Sequence, residues 1–363
     1  LLVPQHRRGL VAVASLALLA GCSGASQLAP APIAAQSAAQ STGRPSLAQG
    51  MKHPLGAFAL SAAKLAALRN SGVKVPHVVV PNRRRSKWGP ALFVSDYVGN
   101  VVQEFQPERA GGIVATISDV VGPQGMDTDR HDNLYVTSQG TSAVNVYAPG
   151  TYTASKVLNE GNQQAPASVA VCPDDSVYVS NTYADYGYQN GSIQIFAPGA
   201  TTPTGSIPDS NIYFSFFVSC DHSGNVWYDY LDTNFVTAVA EYVPSTGTIT
   251  EFGSLGIGFP GGIRAFGKGM LSIDDQSVNQ ASGSVQIFQA ANMAAGPIAR
   301  ISGFADPVSG SWDNSHTATW QADITNQRVE YAKLLGSPQI KYFVGAGVLQ
   351  GPEDALVFPV GNR

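Results

Sequence analysis

From about residue 90 onward, short runs of alternating apolar and polar character recur along the chain. Leu92-Phe93-Val94-Ser95-Asp96, Leu134-Tyr135-Val136-Thr137-Ser138 and Val177-Tyr178-Val179-Ser180-Asn181 share one pattern, three apolar positions followed by two polar ones. Val144-Asn145-Val146-Tyr147-Ala148-Pro149-Gly150 and Ile193-Gln194-Ile195-Phe196-Ala197-Pro198-Gly199 share another, apolar at every second residue. Runs of this length, rich in β-branched and aromatic residues, predict strands. Clusters such as Pro173-Asp174-Asp175 and Asp221-His222-Ser223-Gly224-Asn225 fall between them. They suit tight turns, because Asp, Asn and Gly tolerate or stabilise turn backbone angles.

The runs repeat. Phe105, Tyr147, Phe196, Tyr242, Phe288 and Tyr331 each close an apolar segment, at intervals of 42, 49, 46, 46 and 43 residues. A period of about 40–50 residues built from short strands predicts a β-propeller with one blade per repeat. A proline column, Pro123, Pro166, Pro260, Pro307 and Pro352, marks the first strand of each repeat, with Ser215 in that slot in blade four. Blade one opens directly at Ala91-Leu92-Phe93-Val94 and lacks a first strand, while Gly351–Phe358 supplies one at the far end of the chain. The expectation is an all-β, six-bladed propeller over residues 88–363, closed by its C-terminal strand so that no sheet edge is left open.

The preceding residues read differently. Residues 9–21 form a short apolar run after Arg7 and Arg8, too short to span a bilayer and flanked as a signal peptide is. Leu19-Ala20-Gly21-Cys22 resembles a bacterial lipobox, which implies a lipoprotein signal peptide over 1–21 and lipid attachment to Cys22. Ser23, rather than an aspartate, follows the cysteine. By resemblance to proteobacterial lipoproteins this implies the outer membrane, if the organism has one. Residues 22–54, rich in Ala, Ser, Gln and Pro, bury too little to order themselves and read as a flexible, disordered tether. Residues 55–87 read as a short helix followed by a basic linker.

Charge divides the chain at the same point. Residues 1–87 carry eleven Lys or Arg and no Asp or Glu, whereas residues 88–363 carry ten against twenty-five, a net of −15. The basic linker, densest at Arg83-Arg84-Arg85-Ser86-Lys87, suits either anionic headgroups or the acidic propeller itself. An acidic propeller excludes nucleic acid as a partner, because phosphate binding needs Lys and Arg. The expected partners are the membrane, through the lipid anchor, and a protein or small polar ligand, with the propeller a monomer. Cys172 and Cys220 occupy matching points of blades three and four, and an oxidising envelope would permit a disulfide. Spacing alone leaves open whether they are near enough to join.

Catalytic motifs are sparse, and the catalytic residues of any enzyme remain unassigned. Gly256–Gly261 spells a dinucleotide fingerprint, but Pro260 and the strand context remove the helix it needs. His131, His222 and His316 fall in turns of alternating blades, too far apart to share one ion. Asp127–Asn133 lacks the glycine and glutamate of a calcium loop and reads as a β-turn. A polar column follows the second strands: Asp96, Ser138, Asn181, Asp229, Asp274 and Asp323. It would either gather carboxylates in a central funnel, suited to calcium or another divalent cation, or cap a turn in each blade. An insertion in blade three places Tyr183, Tyr186 and Tyr188 in a polar loop, a candidate binding surface or a hairpin tip folded on its own blade.

Asp323-Ile324-Thr325-Asn326-Gln327-Arg328-Val329-Glu330-Tyr331 resembles the core of an NHL repeat, and Ser95-Asp96 through Asn100 to Phe105 is a looser match without the arginine. The resemblance covers residues 90–358 and implies a six-bladed fold. Its relatives include gluconolactonase-like enzymes and peptide-amidating lyases with metal in the central channel, and also non-enzymatic scaffolds. The lactonase-like Glu-Gly-Pro and Asn-Gly-Leu stretches do not occur here. The leading expectation is a lipid-anchored envelope binding or scaffold module. The alternative is a divalent-cation-dependent hydrolase or lyase with its site in the central funnel.

Overall fold

The computed structural model describes residues 90–107, 112–161, 164–183, 190–276, 282–336 and 339–358. Cys22, the tether, the predicted helix and linker, Tyr186 and Tyr188 lie outside the described residues. The described strands form six four-stranded antiparallel sheets, the blades of a six-bladed β-propeller. Five sheets use four consecutive strands each. The remaining one is composite: Pro352–Phe358 pairs with Ala91–Asp96, which pairs with Val101–Phe105, which pairs with Ala115–Ile117. The C-terminal strand therefore supplies the inner strand that blade one lacks.

Burial falls from axis to rim. The inner strands Pro166–Val171 and Pro260–Phe266 are buried at every position, as are the second strands Leu134–Ser138 and Val177–Asn181. Strands covered on both faces carry continuous apolar runs, which is why these segments do not alternate in sequence. The outermost strand of blade four, Thr248–Gly253, is largely exposed and polar. Aromatic residues fill the wedges between blades. Tyr147 packs with Phe93, Met126 and Leu356, while Phe266 stacks on Trp312 at 4.1 Å between ring centres.

Each inner strand carries a bulge just after the proline slot. Pairing slips between Pro123 and Met126, Pro166 and Ser168, Ser215 and Val218, Pro260 and Ile263, and Pro307 and Gly310. A sixth slip, between Ser95 and Asp96, falls opposite Pro352–Asp354. Proline suits the first residue of a strand, and the bulge sharpens the twist that lets strands pass close to the axis. The crowding is tight. A Cβ on Gly125 would lie 2.6 Å from the Cα of Ser168 in the next blade, so only glycine fits there.

Ring closure sets the stability. Leu356 is fully buried in a cluster that joins the C-terminal strand to blades one and two. Leu356→Ala should cost about 2–5 kcal/mol, read as a fall in urea midpoint. Val157→Ala, on an exposed outer-strand position, should stay within about 0.5 kcal/mol. Equal effects would mean that the closing strand carries no special share.

Candidate functional site

The polar column resolves into two sets with different tasks. Strand pairing places Asp96, Ser138, Asn181, Tyr230, Asp275 and Asp323 opposite the proline slot, or at the matching offset from the bulge in blade four. The equivalent residues in blades four and five are therefore Tyr230 and Asp275, not Asp229 and Asp274. A shift of one residue in a strand turns a side chain to the opposite face.

The first set fastens the loops that lead into the inner strands. Asp96 accepts hydrogen bonds from the backbone N–H groups of Gly99, Gln350 and Gly351. Ser138 Oγ accepts from Val121, Asp275 from Gly258 and Phe259, and Asp323 from Ala305 and Asn326. Asn181 and the Glu160 carboxyl are both buried, and the side-chain polar atoms of each are without a hydrogen-bond partner among the described residues. A need repeated in four of the six blades is structural. The NHL-like segment belongs here too. Asn326 Nδ2 donates to Asp323, and Arg328 donates to Glu330 at 2.6 Å, knitting one hairpin.

Asp229 and Asp274 point instead to the bulges. Asp229 Oδ1 accepts from the Phe217 N–H inside the blade-four bulge, while its other oxygen has no partner among the described residues. Asp274 lies under the Gly261-Gly262 bulge, with Oδ1 likewise unpartnered. Burial pushes both pKa values well above the ordinary carboxylate range, and for Asp274 nearby Arg264 offsets part of that rise. Among the described residues, no group of three or more His, Cys, Asp or Glu is arranged to hold a metal ion.

The sequence reading overlooked the residue that dominates the channel. Arg264, on the inner strand of blade five, crosses the axis and is nearly inaccessible to solvent. Its Nε donates to the Gly310 carbonyl of blade six at 3.1 Å. Its Nη2 donates to the Met126 carbonyl of blade two at 2.9 Å and to Asp354 Oδ2 of the closing strand at 2.8 Å. Asp354 Oδ2 also accepts from the Met126 N–H. Burial works against the guanidinium charge, but Asp354, Asp127 and Asp274 outweigh it and hold the proton. One side chain thus ties four blades across the ring.

Arg264 also lines a cavity of about 290 Å³. The cavity lies at the far end of the inner strands from the proline slots. Its walls are Asp127 of blade two, Val171 and Pro173 of blade three, and Ser219 to His222 of blade four, with Arg130 at the rim. Cys172 and Cys220 are disulfide-bonded beside it, with Cα atoms 5.2 Å apart. Matching positions of neighbouring blades come this close because both end inner strands near the axis. The turns around the mouth are held by aspartates: Asp129 Oδ1 accepts from His131 and Asn133, and Asp221 Oδ1 accepts from Ser223 and Asn225. The Asp127–Asn133 segment is therefore a side-chain-capped β-turn. In blade three, Tyr183 is almost wholly buried, so it offers no exposed contact surface.

No protein-family description and no curated protein matches the sequence. Similarity to solved structures is extensive in shape. A chain of the nidogen/laminin complex aligns with TM-score 0.59 and 11% identity over 74% of this chain and 98% of that one. A chain of Kuenenia stuttgartiensis hydrazine synthase aligns with TM-score 0.52 and 14% identity over 78% of this chain and 96% of that one. At such identities the likeness shows the six-bladed fold alone.

Two predictions follow from buried charge. Asp354→Asn leaves the Arg264 cation without its counter-ion and should cost about 3–5 kcal/mol in urea unfolding; a loss below about 1 kcal/mol would mean that the backbone carbonyls alone suffice. Burial raises Glu160 and Glu353 from 4.5 to about 8, and Asp306 from 3.8 to about 7. Each holds its proton more tightly when folded, so its contribution is complete at low pH and declines as pH climbs through that window. Replacing Glu160 and Glu353 together by Gln should flatten the fall in urea midpoint between pH 5 and pH 8. An unchanged slope would refute the assignment.

Proposed function

We propose that the protein is an exported, lipid-anchored, NHL-type propeller of the cell envelope that serves as a binding module, with the Arg264 cavity as its ligand mouth. The observation that carries this reading is the cavity itself, walled by an inter-blade disulfide. Disulfides persist in oxidising compartments, which agrees with a lipoprotein signal peptide over residues 1–21, cleaved before Cys22. A concave, partly apolar pocket with a few convergent polar groups is the usual form of a small-ligand site. The acidic surface disfavours nucleic acid, and the anchor makes the membrane the first partner.

The alternative, a divalent-cation-dependent hydrolase or lyase, would draw on the carboxylates of the polar column, of which Asp229 and Asp274 are the two not engaged with the strand-entry loops. Burial without a cation favours their neutral, protonated form, and a bound cation would oppose that shift.

Cells producing the full chain and fed an alkyne-tagged palmitate should label it, and Cys22→Ser should abolish the label and release the protein from membranes. A membrane-bound, unlabelled variant would sink the anchor. Calcium at millimolar concentration should leave the melting temperature unchanged; a rise of several degrees would instead support the cation-dependent reading. The disulfide closes a sequence separation of 48 residues, so replacing both cysteines by Ser should cost about 4 kcal/mol on chain-entropy grounds, measured by urea unfolding.

A further inference from the structure

The negative charge of the propeller is unevenly placed. At the cavity end of the ring, the turns between first and second strands of blades two, three and four carry Asp129, Asp132, Asp174, Asp175 and Asp221. Arg130 is the sole Lys or Arg in those three turns, and it pairs with Asp175. The equivalent turn of blade five carries Lys268 and that of blade six Asp313, so the acidic excess is concentrated on three adjacent blades.

These carboxylates are held in place. Asp129 Oδ1 accepts from the His131 and Asn133 N–H groups, Asp174 Oδ1 from Ser176, and Asp221 Oδ1 from Ser223 and Asn225. Asp174 is exposed, and Asp132, Asp175 and Asp221 are half-buried. Together they form a rim of fixed negative charge beside the cavity mouth, where Arg130, Pro173 and Asp221 lie.

The chain enters the propeller at this same end. Ala91 pairs with Phe358, the last residue of its blade's inner strand, and inner strands end where the acidic turns begin. Blade two is the immediate neighbour: Ser95 Oγ donates to the Gln124 carbonyl, and Ala91 and Met126 share one buried cluster. Arg83-Arg84-Arg85-Ser86-Lys87 precede Ala91 by four to eight residues. An extended chain reaches at most about 14 Å from Ala91 to Lys87 and about 28 Å to Arg83. The run lies outside the described residues, but its point of attachment keeps it within reach of the acidic turns.

One exposed ion pair contributes little by itself. Here four cations in five residues face five carboxylates, and so short a tether gives an effective concentration in about the millimolar range. Individually weak contacts therefore suffice.

We propose that Arg83–Lys87 docks in cis on the acidic rim made by the first turns of blades two, three and four. The rim's partner is then the chain's own basic linker, which holds the cavity end of the propeller against the segment that leads into it. The inference requires neither the lipid anchor nor a cavity ligand.

The test is limited trypsin digestion of the folded full chain at pH 8. Mass spectrometry reads the rate of cleavage within Arg83–Lys87 relative to cleavage after Lys52 of the same chain. Raising NaCl from about 0.01 M to about 1 M shortens the screening length from about 30 Å to about 3 Å, and should raise that ratio about tenfold. Replacing Asp132, Asp174 and Asp175 together by Asn should raise it similarly at low salt. Should that variant fail to fold, carbodiimide coupling of the unaltered chain decides: Lys87 should join to Asp132, Asp174 or Asp221 at low salt and not at high salt. A ratio indifferent to salt, protection that survives in the folded rim variant, or the absence of those cross-links overturns the proposal. Protection that arises only when phosphatidylglycerol vesicles are added assigns the run to anionic headgroups and overturns it as well.

Discussion

The antiparallel pairing of Pro352–Phe358 with Ala91–Asp96 is the contact on which everything else in this molecule depends. Without it, blade one would present an open strand edge and blade six would lose the neighbour against which its inner strand packs. Pairing over six register positions brings residues from opposite ends of the chain into one sheet. Asp96 then anchors Gln350 and Gly351, and Ser95 Oγ donates to Gln124 of the next blade. Closure and blade-to-blade contact are thus made by the same few side chains.

At the axis the governing term is desolvation. Six inner strands converge, and polar groups there must find partners or lose their charge. Arg264 keeps its charge because Asp354 and two carbonyls of other blades surround it. Asp229 and Asp274 resolve the same conflict by favouring protonation. The first arrangement divides the channel into two ends of unlike character. One is lined by loop-fastening carboxylates already engaged with backbone N–H groups. The other retains a cavity lined in part by Arg264.

Much of the architecture was legible in the sequence. Even aromatic spacing, the proline column with its Ser215 exception, and the missing first strand of blade one were all readable, because each is a repeated local need. The polar column was read one position out in blades four and five. In blade five, Asp274 and Asp275 are adjacent carboxylates, so polarity alone cannot give the parity of the strand. In blade four, Tyr230 holds the expected place and Asp229 draws the eye instead. Arg264 was missed for a different reason. It is a lone arginine in an apolar strand, and its partner Asp354 lies 90 residues away. No local pattern encodes a contact made across a ring. The meeting of Cys172 with Cys220 likewise depended on how near the axis two equivalent positions fall.

The closing sheet has a mechanical corollary. The chain enters the propeller at Ala91, the start of a strand bonded along both flanks, to Val101–Phe105 on one side and Pro352–Phe358 on the other. Any tension transmitted from the first 89 residues therefore arrives at a doubly supported strand lying lengthwise to its neighbours. Such a strand resists in shear, with many bonds loaded together, rather than peeling away one bond after another. Under the proposed lipid anchor, the clasp of the ring would also be its mooring point, and drag on the body of the protein would be borne by the most extensively paired strand of that sheet.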